Sequence, residues 1–307
     1  MIPLAVGVGV LLVVAAGLLA LALHAVDQWT RPARVRPSRH PRDFGLPWED
    51  VTFKSRDGMT LRGWFIAPTA PAPARALSLS NGSLSKGRAA VIFCHGHGGD
   101  KSPDLIYAPW FYEQGLPVLL FDFRNHGESE GTLTSLGYYE RNDLLGAVDL
   151  LRARGYERVG LFGFSMGGAI SIATAPLSDA VACVVADSPF AELEPTLAMA
   201  LRRRGFPRWF AVPMTRVVFW LGARRLGCDP REAYPAKAAR VFGGRPLLLI
   251  LGERDEYIEL WQGRLLYERA SGPKELWLVP GAGHRRSDQV EPERYREKVM
   301  GFFARVL

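Results

Sequence analysis

The sequence predicts an α/β protein in which one membrane-spanning helix precedes a mostly parallel sheet with helices on both of its faces. Short apolar runs alternate with helix-like stretches over most of the 307 residues, and glycine-rich turns follow several of these runs. An uninterrupted apolar stretch opens the chain. Alternation of this kind is typical of parallel sheets joined by right-handed crossovers.

The chain begins with a transmembrane candidate, assigned to residues 1–28. No residue from Leu4 to Leu23 is charged or strongly polar, and twenty helical residues span about 30 Å, the thickness of a bilayer core. A cleavable signal peptide normally has a basic start and a shorter apolar core. Because Ala20-Leu21-Ala22 resembles a cleavage site, a signal peptide is the alternative to an uncleaved anchor.

Basic residues follow the apolar stretch and none precedes it. Five arginines lie between residues 31 and 42, which predicts that the rest of the chain is cytoplasmic. The three cysteines form no disulfide framework, in agreement with a reducing compartment. Four prolines between residues 32 and 47 predict an extended Pro/Arg-rich tether over residues 29–48.

Charge and motif content exclude several function classes. Of the net charge of +7, residues 1–43 carry +3 (five Arg minus two Asp), and the remainder is spread without a basic block interleaved with aromatic residues. A nucleic-acid partner is therefore not expected. The chain has neither metal-ligand spacing nor a dinucleotide-binding glycine pattern, so no metal and no cofactor are expected. Nothing in the sequence indicates an oligomeric state.

The remaining residues, 49–307, are assigned to one globular domain. Two antiparallel strands and a surface loop at residues 68–88 come first, and apolar and basic segments at about residues 190–240 interrupt the later alternation as a helical insertion. The predicted strands are 51–54, 61–66, 89–94, 117–122, a strand ending at about residue 164, 181–186, 246–251 and 275–279. The predicted helices are about 138–154, one after Ser165, about 260–270, and 292 to the end.

The chemistry centres on Gly163-Phe164-Ser165-Met166-Gly167, which lies between an apolar run and a helix-like series. Glycines on both sides of the serine allow a tight strand-to-helix turn that exposes the Ser165 hydroxyl. A serine hydroxyl needs a base and a carboxylate that orients this base. Asp255 and His284 follow the last two predicted strands, which makes them the candidates for these roles. Asp187, after the strand 181–186, is the alternative acid.

These segments resemble the α/β-hydrolase superfamily, and within it the serine hydrolases grouped with serine aminopeptidases and monoacylglycerol lipases. The resemblance covers roughly residues 50–307. It is carried by the chain order Ser165, Asp255, His284, and by the turns at residues 95–99 and 122–129. The resemblance implies an oxyanion hole made by the backbone amides of His97 and Met166.

The resemblance implies hydrolysis of a carboxylic ester, lipid-like or small, through an acyl-enzyme and without a cofactor. An aminopeptidase-like amidase or a thioesterase of the same fold is the alternative. A non-catalytic membrane-tethered scaffold is the alternative from another class. Because the sequence retains every triad member and both elbow glycines, it favours the enzyme.

Other polar residues near these turns are interpreted as structural. Asp122 is expected to bond backbone amides of the following turn, and His95 is interpreted as a turn-packing residue. The imidazole of His97 has no assigned role, and a solvated loop histidine is favoured for it. Cys94 is interpreted as a core residue because the sequence gives it no Cys/His pairing. Arg124 and His126, in the same turn as Asp122, are likewise assigned structural roles.

The insertion at residues 190–240 combines large apolar side chains with seven arginines between residues 202 and 225. This composition is typical of segments that lie at anionic membrane surfaces. For any single apolar residue of the insertion, core packing is the favoured explanation. The sequence as a whole predicts a lid over Ser165 that sits near the membrane.

Overall fold

A computed structural model describes residues 2–68 and 88–307, with side chains from Val6 onward. Most of the predicted surface loop at 68–88 lies outside the described residues. The described strands are β1 Glu49–Lys54, β2 Thr60–Ile66, β3 Ala89–Cys94, β4 Val118–Phe121, β5 Arg158–Phe164, β6 Val181–Asp187, β7 Leu247–Gly252 and β8 Lys274–Val279.

The described helices agree with the predicted alternation, and where bounds were predicted the ends differ by at most two residues. They are α1 Ile2–Thr30, α2 Ala108–Glu113, α3 Glu140–Ala153, α4 Met166–Thr174, α5 Leu193–Arg203, α6 Arg208–Leu226, α7 Pro235–Ala238, α8 Leu260–Arg269, α9 Ser287–Val290 and α10 Pro292–Val306.

The strands form one eight-stranded sheet in the order β1-β2-β4-β3-β5-β6-β7-β8. β1 pairs antiparallel with β2, and β2 antiparallel with β4, while every later pairing is parallel. This arrangement confirms the predicted mostly parallel sheet. Because parallel strands place their carboxyl ends at one edge, the turns after β3, β5, β6, β7 and β8 converge on the same side of the molecule.

Helices cover both faces of the sheet, which explains why the central strands are apolar throughout rather than alternating. β4 and β7 are buried at every position. One core lies between the sheet and α2 and α10, and the other lies between the sheet and α3, α4, α8 and the insertion. The sheet is therefore a rigid base for the loops at its carboxyl edge.

The insertion consists mainly of α5 and α6, which pack against each other. Among its large apolar residues, Val218 and Phe219 are buried in the core, whereas Trp209 and Trp220 are 77% and 54% exposed. Core packing therefore explains only part of the apolar content of α6. The exposed part needs another partner.

The segment predicted to be a tether lies against the domain. Arg34 donates to the carbonyl oxygens of Ser129 and Gly131, and the Ser102 hydroxyl accepts a hydrogen bond from the Ser38 amide. Residues 32–40 form neither helix nor strand, whereas Pro41–Phe44 form a short 3-10 helix, so only the first part of the segment has the predicted extended form. The segment is held against the domain because its polar groups form hydrogen bonds with the turns that it crosses.

Candidate active site

A pocket of about 490 Å³ opens at the carboxyl edge of the sheet and contains the Ser165 side chain. Its size lies within the range of roughly 300–1,000 Å³ that is typical of small-molecule sites. Its walls come from α1, from the turns after β3 and β5, and from the insertion. The lining residues are Ala25, Gln28, Trp29, Gly96, His97, Leu136, Ser165, Met166, Phe190, Leu193, Thr196, Leu197, Ala200, Leu201, Arg204, Thr215, Val218, Tyr257, Ile258, His284 and Arg285.

Ser165 occupies the sharp turn between β5 and α4, with φ of 52°. A positive φ is uncommon for a residue other than glycine and costs of order 1–3 kcal/mol, so the surrounding packing must enforce it. Gly167 permits this packing, because a Cβ there would lie 1.9 Å from the Cys94 carbonyl oxygen. The turn thus presses against the end of β3 and directs the serine hydroxyl into the pocket.

His284 and Asp255 reach Ser165 from the two loops predicted to carry them. His284 Nε2 lies 3.0 Å from Ser165 Oγ, and His284 Nδ1 lies 2.7 Å from Asp255 Oδ2. The Asp255 side chain is 2% exposed, and its other oxygen accepts from the amides of Tyr257 and Ile258, each at 2.8 Å. The carboxylate is thereby fixed, and the imidazole can relay a proton from the hydroxyl.

Asp187, the alternative acid, has other partners. It accepts hydrogen bonds from the Tyr295 hydroxyl at 2.7 Å and from the Ser188 hydroxyl at 2.8 Å. Burial raises its pKa despite these bonds. No hydrogen bond joins Asp187 to His284 in the described parts of the chain, so the geometry favours Asp255 as the orienting carboxylate.

The backbone amides of His97 and Met166, predicted to hold an oxyanion, both belong to residues that line the pocket beside Ser165. Within residues 2–68 and 88–307, neither amide donates to a protein acceptor. Met166 is also the first residue of α4, whose positive end faces the serine. Free amides beside a nucleophile are the donors that stabilise a developing oxyanion.

The His97 imidazole has a partner that the sequence did not indicate. The residue is exposed, and the protein atoms packed around the imidazole lower its pKa. The neutral ring donates from Nε2 to the carbonyl oxygen of Trp29 at 2.9 Å. His97 is therefore an exposed loop residue, as expected, but its side chain is not free, because it joins the loop after β3 to the end of α1.

Other polar residues of these turns are structural, as predicted. Asp122 accepts from the amides of Lys101 and Glu128. His95 accepts from the Phe123 amide, and burial lowers its pKa to about 4, so it remains neutral. Burial also lowers the pKa of His126 to about 3.

The Arg124 guanidinium binds the carboxylates of Asp57 and Asp143, away from the serine. Cys94 is fully buried, and burial raises the pKa of its thiol to about 12. The thiolate is the reactive form of cysteine. Cys94 is thus a core residue, as predicted.

Arg285, next to His284, is a site residue that the sequence analysis missed. Its guanidinium forms an ion pair with the buried Asp104 and lies 4.5 Å from the ring centroid of Phe164, the residue before Ser165. Its amide donates to the Ser188 hydroxyl. These contacts hold the His284 loop against the serine turn. The Asp104 partner is 181 positions away in sequence, so no local pattern could have revealed it.

Among the residues that the structure describes, no group of three or more histidine, cysteine, aspartate or glutamate side chains is placed to hold a metal ion.

Residues 91–298 match the model of the Alpha/beta hydrolase family. The uncharacterized protein YqkD of Bacillus subtilis is 35% identical over 69% of this chain and 70% of its own.

Two solved structures extend the comparison. The Pyrococcus furiosus esterase Pf2001 superposes with a TM-score of 0.71 at 27% identity, covering 91% of this chain and 98% of that one. A Pyrococcus horikoshii acylaminoacyl peptidase shares the fold with a TM-score of 0.60 at 19% identity, covering 85% of this chain and 42% of its own.

Proposed function

This chain belongs to the Alpha/beta hydrolase family, and from that premise we propose that it is a membrane-anchored serine hydrolase that cleaves a carboxylic ester. The single observation that carries the proposal is the hydrogen-bonded line from Ser165 through His284 to Asp255 at the pocket. The likeness to an esterase at 27% identity supports it.

In the proposed mechanism, Ser165 Oγ attacks the ester carbonyl carbon while His284 Nε2 accepts the hydroxyl proton. Asp255 keeps Nδ1–H in place and stabilises the imidazolium that forms. The amides of His97 and Met166 stabilise the oxyanion. The imidazolium then protonates the leaving alcohol, and water, activated by the same histidine, hydrolyses the acyl-enzyme.

The pocket lining favours an ester over the substrate of an aminopeptidase. An enzyme that binds a free amino terminus needs a carboxylate to pair with the ammonium group. The described lining contains two arginines and several aliphatic residues, but neither aspartate nor glutamate. An aminopeptidase-like amidase and a thioesterase are therefore the less favoured proposals, and a non-catalytic scaffold is the alternative outside enzymes.

The proposal places the protein at a membrane through α1 and the insertion. Residues 6–30 form a helix long and apolar enough to span a bilayer. The outer face of α6 adds Trp209, Val212, Val217 and Trp220, each at least 38% exposed, beside the exposed Arg216. Exposed tryptophan next to arginine is typical of helices that lie in the lipid interface.

An uncleaved anchor is the form that we propose. The cleavage-like Ala20-Leu21-Ala22 lies inside the continuous helix α1, and Ala22 is fully buried. The apolar stretch from Leu4 to Leu23 is longer than the core of a typical signal peptide and lacks a basic start. These features support an anchor.

The hydrolase domain is proposed to lie in the cytoplasm, because five arginines follow the span and none precedes it. Green fluorescent protein fused to the C terminus is expected to fluoresce, and alkaline phosphatase fused at the same position is expected to be inactive. The reverse pattern would place the domain on the opposite side of the membrane.

Turnover of a matched panel of substrates tests the proposed reaction. The purified full-length protein is expected to hydrolyse p-nitrophenyl esters faster than the p-nitroanilides of amino acids, with thioesters included for comparison. Faster cleavage of the anilides would favour the amidase, and faster cleavage of the thioesters would favour the thioesterase. Absence of turnover together with absence of fluorophosphonate labelling would favour the scaffold.

A further inference from the structure

The surroundings of α1 change along its length. Its large apolar side chains between Val6 and Leu19 are 40–74% exposed, whereas Ala22, Val26 and Trp29 are at most 3% exposed. These three buried residues recur at helical spacing and therefore share one face. The first part of α1 is available to lipid, and the last two turns belong to the fold of the domain.

Polar contacts fix the end of α1 to the turns around the site. The last carbonyl groups of a helix lack partners within the helix. Here the Trp29 carbonyl accepts from His97, and the Thr30 carbonyl accepts from the Thr134 amide at 2.9 Å. Asp27 also pairs with Arg225 of α6 at 3.0 Å. The helix end is thus bound on both sides of the pocket.

Close packing against α6 completes this attachment. A Cβ on Gly222 would lie 2.2 Å from the Trp29 ring, so the indole packs directly on the backbone of α6. The same indole stacks on Phe219 with ring centroids 5.8 Å apart. Contacts this tight hold the side chain in one position.

The attached turns of α1 border the pocket itself. Ala25, Gln28 and Trp29 line the same cavity as Ser165. We propose that they form a wall of the substrate pocket, and that the pocket takes the acyl chain of an ester that resides in the bilayer. This inference rests on the proposed ester hydrolysis and names its substrate class.

The position of the pocket beside the exposed apolar part of α1 supports a bilayer-resident acyl chain. Val14, Leu18 and Ala25 recur at helical spacing and share one face of α1. Val14 and Leu18 are exposed and Ala25 lines the pocket, so this face leads from the lipid-exposed part of the helix to the cavity that contains Ser165. Much of the remaining lining is also aliphatic and comes from the insertion and the loop after β7. Its apolar members are Leu193, Leu197, Ala200, Leu201, Val218 and Ile258.

Two matched substitutions on α1 test the proposal. Ala25→Trp places an indole on the proposed wall, while Ala20→Trp makes the same change at an exposed position outside the pocket. The readout is the ratio of kcat/KM for p-nitrophenyl dodecanoate to that for p-nitrophenyl butyrate, measured with the full-length protein in identical micelles. Thermal unfolding verifies that each variant is folded.

Ala25→Trp is expected to lower the dodecanoate-to-butyrate ratio by about tenfold, since loss of a few methylene contacts in an apolar pocket has this effect. Ala20→Trp is expected to leave the ratio within about twofold. Gln28→Trp, at an exposed position of the same wall, should act like Ala25→Trp and decides the matter if Ala25→Trp does not fold.

Two outcomes would overturn the proposal, and they differ from each other. An unchanged ratio in folded Ala25→Trp and Gln28→Trp, with normal butyrate turnover, would remove α1 from the pocket and leave the ester hydrolase intact. Failure of the unaltered protein to hydrolyse either ester, or to react with a fluorophosphonate, would overturn the proposed function and this inference together.

Discussion

Ser165→Ala is expected to reduce ester turnover by about 10⁴- to 10⁶-fold, the range found when a catalytic nucleophile is removed. The Ser165 hydroxyl is placed to attack a bound carbonyl, and alanine has no atom that can replace it. The free energy of unfolding should change little, because the hydroxyl faces the pocket and, among the described residues, bonds to the side chain of His284 alone. Steady-state kinetics and thermal unfolding of the full-length protein measure both effects.

Ser178→Ala is the matched control, since Ser178 lies in the turn before β6, at the opposite edge of the sheet. It should retain the turnover of the unaltered protein. Turnover by Ser165→Ala within tenfold of this control would exclude Ser165 as the nucleophile. A large loss of stability in Ser165→Ala would instead assign the hydroxyl a structural role.

Asp255→Asn is expected to lower kcat by about 10⁴-fold while the protein remains folded. The 2.7 Å contact between Asp255 and His284 fixes the ring and favours the charge that the ring gains during catalysis. The asparagine amide lacks the negative charge, and it does not hold the His284 imidazole in the tautomer that carries its hydrogen on Nδ1. Kinetics with p-nitrophenyl butyrate measure the loss.

Asp187→Asn is the paired variant. Asparagine retains an acceptor for the Tyr295 hydroxyl, and Asp187 does not bond to the imidazole, so a change below about tenfold is expected. A greater loss for Asp187→Asn than for Asp255→Asn would transfer the orienting role to Asp187. Both substitutions replace one carboxylate at the end of a strand with an amide. The comparison therefore tests which of the two carboxylates orients His284.

The sequence was sufficient to predict the sheet and the order of the strands along the chain, because buried parallel strands have an unmistakable apolar pattern. It also placed Ser165, Asp255 and His284 after separate strands. Parallel strands bring their carboxyl ends to one edge. The convergence of these three side chains follows from that topology.

The attachment of α1 could not be predicted in the same way. Residues that face lipid and residues that face a protein core are both apolar, so Ala22 and Val26 look no different in sequence from the exposed Val10 or Leu11. Only the polar His24, Asp27 and Gln28 near the end of the helix hinted that its last turns have surroundings different from those of the first part. The contacts of the helix end with α6 and with the turns around the pocket depend on tertiary packing, which the sequence pattern does not show.

Long-range polar contacts were equally invisible. The bond from His97 to Trp29 joins residues 68 positions apart. The ion pair between Arg285 and Asp104 joins residues that are separated by much of the domain. Such contacts follow from how loops meet above the finished sheet. Residue type alone therefore identified the candidate nucleophile, acid and base, but not the groups that hold them.

Mass spectrometry of the full-length protein after reaction with a fluorophosphonate tests most directly whether Ser165 is an activated nucleophile. A single adduct on the peptide that contains Ser165 is the predicted result, absent when the protein is heat-denatured before labelling. No adduct on the folded protein, or an adduct on another serine such as Ser188, would contradict the account.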